Sequence, residues 1–284
     1  MTPELDATYA GRKLAARIAT AVSCAAVAVA LVPLLAILVY VAQRGLGALS
    51  ISFFTALPKP VGEHGGGMAN AVVGTLELVG LASLMGIPIG IAAGLFLAET
   101  RSTMLARIIR FSADVLAGVP SIIVGVVVYA TVVVRMHHFS TFAGAASLAV
   151  LMLPLVARTT DELARTVPES LREAALALGA SRWRIAIHVV LKTAAPGIRA
   201  GCMLAVARVS GETAPLLFTA FNNRFWNESF SDPTASLQVQ IFTYTMSPYD
   251  DWHAQAWAAA LVLVALVVVL NLAARRVLRG PKPS

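Results

Sequence analysis

Charge is scarce in this 284-residue chain. Only 13% of its residues are charged, 58% are hydrophobic, and the mean hydropathy is +0.77. A soluble domain carries about 25% charged and about 45–50% apolar residues, so a soluble globular fold is excluded. Disorder is excluded as well, because it needs low hydrophobicity and high charge. The short alternating segments of a transmembrane β-barrel are absent. The two cysteines, Cys24 and Cys202, each lie inside an apolar stretch. They allow no disulfide framework and read as two small buried hydrophobes. The dipeptide Gly-Lys never occurs, which removes the G-x-x-x-x-G-K-[ST] phosphate loop. The chain therefore cannot hydrolyse ATP by itself in the usual way. No spacing matches zinc or iron ligands, and the adjacent His137 and His138 read as a solvated turn. No nucleophile–base constellation supports a membrane enzyme.

What is present is long apolar sequence. Runs near 18–42, 70–97, 112–134, 141–157, 197–221 and 254–273 approach or exceed the roughly 20 residues a helix needs to cross the hydrocarbon core. The first is too long for a signal-peptide core of about 7–15 residues and reads as a retained span. The expectation is an all-α membrane protein of about six transmembrane helices. It has a tail at 1–17, one membrane domain at 18–273 and a second tail at 274–284. Six spans put both termini on one side. Arg12, Lys13, Arg17, Arg101, Arg107 and Arg110 fall on that side, with the basic residues of 158–199 and Arg275, Arg276, Arg279 and Lys282. The other side holds Arg44, Lys59, Arg135 and Arg224. The positive-inside rule then places both termini in the cytoplasm. The net charge of +7 is read as this orientation signal, with no nucleic-acid partner.

Small residues pattern the second run. Gly86, Gly90 and Gly94 repeat every four residues and permit close backbone approach, either within the subunit or against another one. Pro88 should kink the same helix. Outside, 43–69 reads as a turn-rich loop. The stretch 222–253, with Trp226, Tyr244, Tyr249 and Trp252, reads as an interfacial segment or a partner surface.

Residues 158–196 are too polar to span and yet helical in pattern. Thr166 and Glu169 make a capping-box pair with Pro168 in the first turn. Leu171, Ala174, Ala175 and Leu178 form an apolar face. Gly179 is placed to end the helix in a left-handed turn, and Ser181 to cap a second short helix holding Arg182, Trp183 and Arg184. This helix–glycine–helix element reads as a surface hairpin or as a knob for a partner's groove.

Arg208 and Glu212 lie four apart in an apolar run, which predicts one shared helix face and a possible pair. An arginine at the bilayer centre costs about 2.5–3.5 kcal/mol, so it persists when paired, hydrated or functional. Arg158 closes the fourth run. Either the three are structural, or the arginines attract an anion, which their planar fork suits. Glu77, early in the second run, has an open role.

Glu173-Ala174-Ala175, three residues, then Gly179 resembles the EAA loop of ABC-importer permeases, with Lys192 standing where that pattern usually has proline. Leu116-Ala117-Gly118-Val119-Pro120-Ser121 and Ser210-Gly211-Glu212-Thr213-Ala214-Pro215-Leu216-Leu217-Phe218-Thr219-Ala220 are similar to phosphate-importer permeases of the PstA type. The resemblance covers about 65 to 273. It implies an ABC type I importer permease fold with a cytoplasmic coupling-helix loop. It also implies bacterial inner-membrane localisation and no cofactor. The implied partners are a PstC-like permease, two copies of an ATPase and an external phosphate-binding protein, besides phosphate and the surrounding lipid. On that resemblance Arg158, Arg208 and Glu212 belong to the phosphate pathway. Glu173, Ala174, Ala175 and Gly179 dock the ATPase. The rivals are a permease for sulfate, molybdate or phosphonate, a secondary transporter working alone, and a non-transport scaffold. No inverted repeat is evident for the secondary transporter.

Overall fold

The computed structural model describes residues 3–60, 63, 65–100 and 103–278. Arg101, Arg279 and Lys282, which entered the charge count, lie outside the described residues, as does the last part of the 274–284 tail. The chain order is α1 (Pro3–Leu46), α2 (Ile51–Thr55), α3 (Ala69–Glu99), α4 (Met104–Gly118), α5 (Ser121–Val128), a π turn (Tyr129–Val133), α6 (Val134–Met136) and α7 (Thr141–Arg165). Then follow α8 (Glu169–Ala177), α9 (Arg182–Ile185), a second π turn (Ala186–Val190), α10 (Leu191–Val209), α11 (Ala214–Thr219), α12 (Leu237–Thr245) and α13 (Asp250–Leu278). Among the described residues there is no strand.

Five helical segments are long and apolar enough to cross a bilayer: Gly11–Leu46, Ala69–Glu99, Thr141–Arg165, Arg182–Val209 and Asp250–Leu272. A sixth crossing exists if α4 with Ser121–Met136 counts as one span, but these halves meet at 108°. The 112–134 run is therefore not one straight helix. Pro120 offers no N–H and disfavours helical backbone in the residue before it; Val119 accordingly takes an extended conformation (φ −72°, ψ 130°). The 197–221 run is displaced as well. Its helix begins at Arg182 and ends at Val209, and a new helix starts at Ala214 with Pro215 in its first turn.

The centre of the fold is α3 packed in parallel against α7. Gly86 faces Ala149 and Met152, Gly90 faces Val156, and Gly94 faces Ala157 and Thr160. The small-residue stripe thus seats a helix of the same subunit. Leu78, Ala82, Leu148, Met152 and Val156 fill the contact, and Ile198, Ala205 and Val209 of α10 close it from a third side. Such packing relies on close fit, because lipid tails are as apolar as the side chains.

The 222–253 stretch is more folded than its polarity suggested. It contains α12, whose Leu237, Gln238, Val239 and Gln240 are buried, because α12 folds back between α3 and α13. By contrast α1 packs chiefly on α13. The most apolar window of its Gly11–Leu46 span has no buried residue. Cys24, expected to be buried, is exposed there, whereas Cys202 in α10 is buried.

Candidate functional site

The two helix breaks face each other. A cavity of about 290 Å³ is lined by Leu116, Ala117, Val119, Pro120 and Ser121 at the α4–α5 break, and by Arg208 and Glu212 at the α10–α11 break. Leu151, Pro154, Leu155 and Arg158 of α7 form the third wall. The two sequence segments that stood out, around Gly118 and around Glu212, are therefore the two interruptions of one wall. Non-helical backbone at membrane depth is tolerated only where it is buried in protein or lines a cavity. The second break is held by Gln238: its side-chain amide donates to the Ser210 carbonyl oxygen, and its own oxygen accepts from the Thr75 hydroxyl at 3.4 Å.

Arg158, Arg208 and Glu212 share this cavity, but the pairing of Arg208 with Glu212 is corrected. The helix ends at Val209. Glu212 therefore lies in the irregular segment and not one turn further along the same face. Among the described residues no ion pair joins Arg208 to Glu212 and no side-chain partner holds the Arg208 guanidinium. Arg158 is tethered: its Nε donates to Glu162 at 3.2 Å and its Nη1 to Asp114 at 3.3 Å. Arg158 also lines a second cavity, of about 230 Å³, with Arg110, Asp114, Asp161, Glu162 and Arg165. There the buried Asp161 accepts from Arg110 Nε at 3.1 Å and from Arg165 at 2.7 and 3.0 Å. Arg110 also donates to the Leu97 carbonyl at 2.7 Å, so this cluster ties α3, α4 and α7 together at one end of the bundle.

The helix–glycine–helix element exists, with a different start. Thr166 does not cap α8: its hydroxyl donates back to Leu163 at 2.7 Å, and Pro168 holds the cap position without a side-chain bond. Ser181 occupies the cap of α9, also without a side-chain bond. Gly179 takes the left-handed backbone (φ +80°). Its N–H bonds to Leu176 O at 2.9 Å and Ala180 N–H to Ala175 O at 3.1 Å, the paired closure that ends helices in a Schellman turn. The apolar face lies mostly outside. Leu178 is 89% exposed, Leu171 and Leu176 are about half-exposed, and Glu173 and Ala174 are exposed, while Ala175 touches the core. The inward side chain is instead Arg172, 7% exposed. It donates to Glu99 of α3 and, at 2.8 Å, to the Ala164 carbonyl of α7. Lys192 sits in the first turn of α10, which continues from α9 through the π turn.

Sequence reasoning missed Asp161, Arg110, Arg165, Arg172, Glu99 and Gln238. The Asp161–Arg165 and Arg158–Glu162 pairs carried a signal in their four-residue spacing. Arg172–Glu99 and Gln238–Ser210, far apart in sequence, carried none. At the opposite end, Glu77 accepts from Asn227 at 2.9 Å, which gives that acid a structural partner.

Residues 86–282 match the family described as the binding-protein-dependent transport system inner membrane component. The chain is 44% identical over 267 residues to a phosphate transport system permease protein PstA of Yersinia pestis, covering 94% of this chain and 90% of that one. It is 46% identical to the PstA of Haemophilus influenzae, covering 82% of each. It is 35% identical to PstA 1 of Mycobacterium tuberculosis, covering 93% of this chain and 87% of that one. Among solved structures it resembles an inward-facing MetNI methionine ABC transporter chain, with a TM-score of 0.63, 22% identity, and 75% of this chain and 95% of that chain covered. A bacterial ABC transporter for alginate import matches at a TM-score of 0.59 and 15% identity, covering 94% of this chain and all of that one; these two likenesses establish the fold. The helical fold, the breaks around one cavity, the capped knob and these relatives agree: the chain belongs to the inner-membrane permease components of binding-protein-dependent ABC transporters, among the PstA phosphate permeases.

Proposed function

We propose that this subunit forms part of the translocation pathway for inorganic phosphate in an ATP-driven importer, with Arg208 as its principal anion ligand. The observation that carries the reading is the Arg208 guanidinium. It lies in a cavity built from two helix breaks, without a side-chain partner among the described residues. A free guanidinium fork can hold two phosphate oxygens. An ionised Glu212 in the same cavity can accept hydrogen bonds but donate none, and hydrogen phosphate offers an O–H that sulfate lacks. Arg158, tethered by Asp114 and Glu162, passes the anion between the two cavities it lines. The relatives are transport subunits, so hydrolysis belongs to other chains.

The assembly around it is an ABC transporter complex of several subunits. The finer reading is a PstC-like permease beside this one, two ATPase copies below, and an external phosphate-binding protein above. Both termini and the 158–196 loop face the cytoplasm, as the basic residues favour. The membrane domain spans 18–273 between the 1–17 and 274–284 tails. The ATPase docks on the knob through Glu173, Ala174, Ala175 and the Gly179 bend; the exposure of Leu171, Leu176 and Leu178 supports a covered face in the complex.

The test is labelled phosphate uptake, with sulfate as the control, in vesicles holding the whole complex. Arg208→Gln, at equal insertion and with the ATPase still bound, should lose ATP-dependent uptake. Uptake equal to wild type would return Arg208 to a structural role. No phosphate uptake by the assembled wild type would move the substrate to another oxyanion.

A further inference from the structure

The first helix of the knob, α8, turns one buried charge toward the membrane helices. Arg172 is the inward residue of α8, and its guanidinium reaches three elements. Nη1 donates to Glu99, the last residue of α3, Nη2 donates to Ala164 in the last turn of α7 at 2.8 Å, and Nε lies 3.8 Å from Glu169 of α8 itself. Its side chain is 9% exposed and that of Glu99 is 30% exposed. The backbone neighbours of α8 are α9 and the following π turn, both downstream in the chain. Toward α3 and α7, Arg172 supplies polar contacts and Ala175 packs on the core.

What lies beyond the two anchor points matters. The α3 and α7 helices are seated on each other along the glycine stripe and move as one body, because close-packed elements transmit displacement and do not absorb it. The same α7 carries Leu151, Pro154, Leu155 and Arg158, one wall of the 290 Å³ cavity. The knob's outer face, with Leu171, Leu176 and Leu178 exposed, is where a partner can push. We propose that Arg172 is the positioning residue that converts displacement of the knob into displacement of the α3–α7 pair, and so couples the ATPase to the cavity. The proposal rests on the reading of the knob as the ATPase dock. A salt bridge of this kind suits the task, since breaking it would leave the buried Arg172 guanidinium without its counter-charge, whereas an apolar contact would slide.

The experiment uses the whole complex in vesicles with its external binding protein, and reads phosphate uptake and ATP hydrolysis together. Arg172→Met keeps the aliphatic stem and removes the fork. It should retain the ATPase and continue to hydrolyse ATP while phosphate moved per ATP falls about tenfold, within the usual range of coupling free energies. Arg172→Lys, which can satisfy part of the anchor, should recover part of the ratio, and Glu99→Gln should fall between. An unchanged ratio in Arg172→Met with the complex intact overturns the proposal. Loss of the ATPase from that variant also overturns it, since Arg172 would then merely fold the knob. Glu173→Lys, on the exposed face, separates the two readings: if it leaves ATPase binding intact, the docking assignment is wrong whatever Arg172 does.

Discussion

The glycine stripe of α3 allows a graded prediction. Replacing a helical glycine by alanine gains about 0.5–1 kcal/mol of helix propensity. Against this stands the space each new methyl would enter. At Gly86 the nearest atoms, Ala149 O and Met152 Cβ, would lie 3.2 Å away, which a small adjustment relieves. At Gly90 the methyl would lie 2.7 Å from Val156 Cβ and 2.8 Å from its Cγ1. At Gly94 it would lie 2.5 Å from both the Ala157 carbonyl oxygen and Thr160 Cβ. Apart from Val156 Cγ1 these are backbone or Cβ atoms, so the helices themselves must separate. Overpacking of this kind costs about 1–3 kcal/mol. Gly86→Ala should therefore be close to neutral, Gly90→Ala mildly destabilising, and Gly94→Ala destabilising by about 1–2 kcal/mol after the propensity gain. The assay is thermal unfolding of the purified, monodisperse subunit in detergent, where Gly94→Ala should melt a few degrees lower than wild type. If all three variants melt together, or Gly94→Ala melts above Gly86→Ala, the α3–α7 interface is not set by these contacts.

Further expectations follow from the polar anchors. Gln238→Leu leaves the Ser210 carbonyl without its donor and should cost about 1–3 kcal/mol, read as a lowered melting temperature at unchanged membrane insertion. Asp161→Asn removes the charge shared by Arg110 and Arg165. Both arginines are about one-third exposed, so the loss should sit well below the roughly 3–5 kcal/mol of a fully buried pair. High salt should narrow its difference from wild type, and a difference insensitive to salt would refute the electrostatic account.

The sequence made much of the architecture legible, and the failures have physical causes. Low charge excluded a soluble domain, and the long apolar runs then identified a helical membrane protein. The Gly179 turn was readable since a left-handed position selects glycine locally. The helix breaks at Pro120 and at Ser210–Thr213 were misread as mid-span sequence, because hydropathy averages over a break that costs no apolar character. The error spread to Arg208 and Glu212, whose shared face presumed an unbroken helix. The inward turn of Arg172 was not legible in α8: a buried charge has no sequence signature when its partner, Glu99, lies in another helix. The fate of the glycine stripe was open in the sequence and is settled by α7.

The pairing of α1 with α13 bears on how the chain is made. Tyr40 meets Trp257 edge to face at a centroid separation of 5.2 Å, and Gly45 lies against the Trp257 carbonyl and Leu261. These contacts join α1 to α13, far apart in the chain, so during synthesis α1 enters the bilayer long before this neighbour exists. Ribosome-stalled intermediates should show no crosslink between positions 40 and 257 until α13 has emerged, after which the link should form quickly. Until then α1 is a helix without this neighbour, open to membrane chaperones and quality-control proteases.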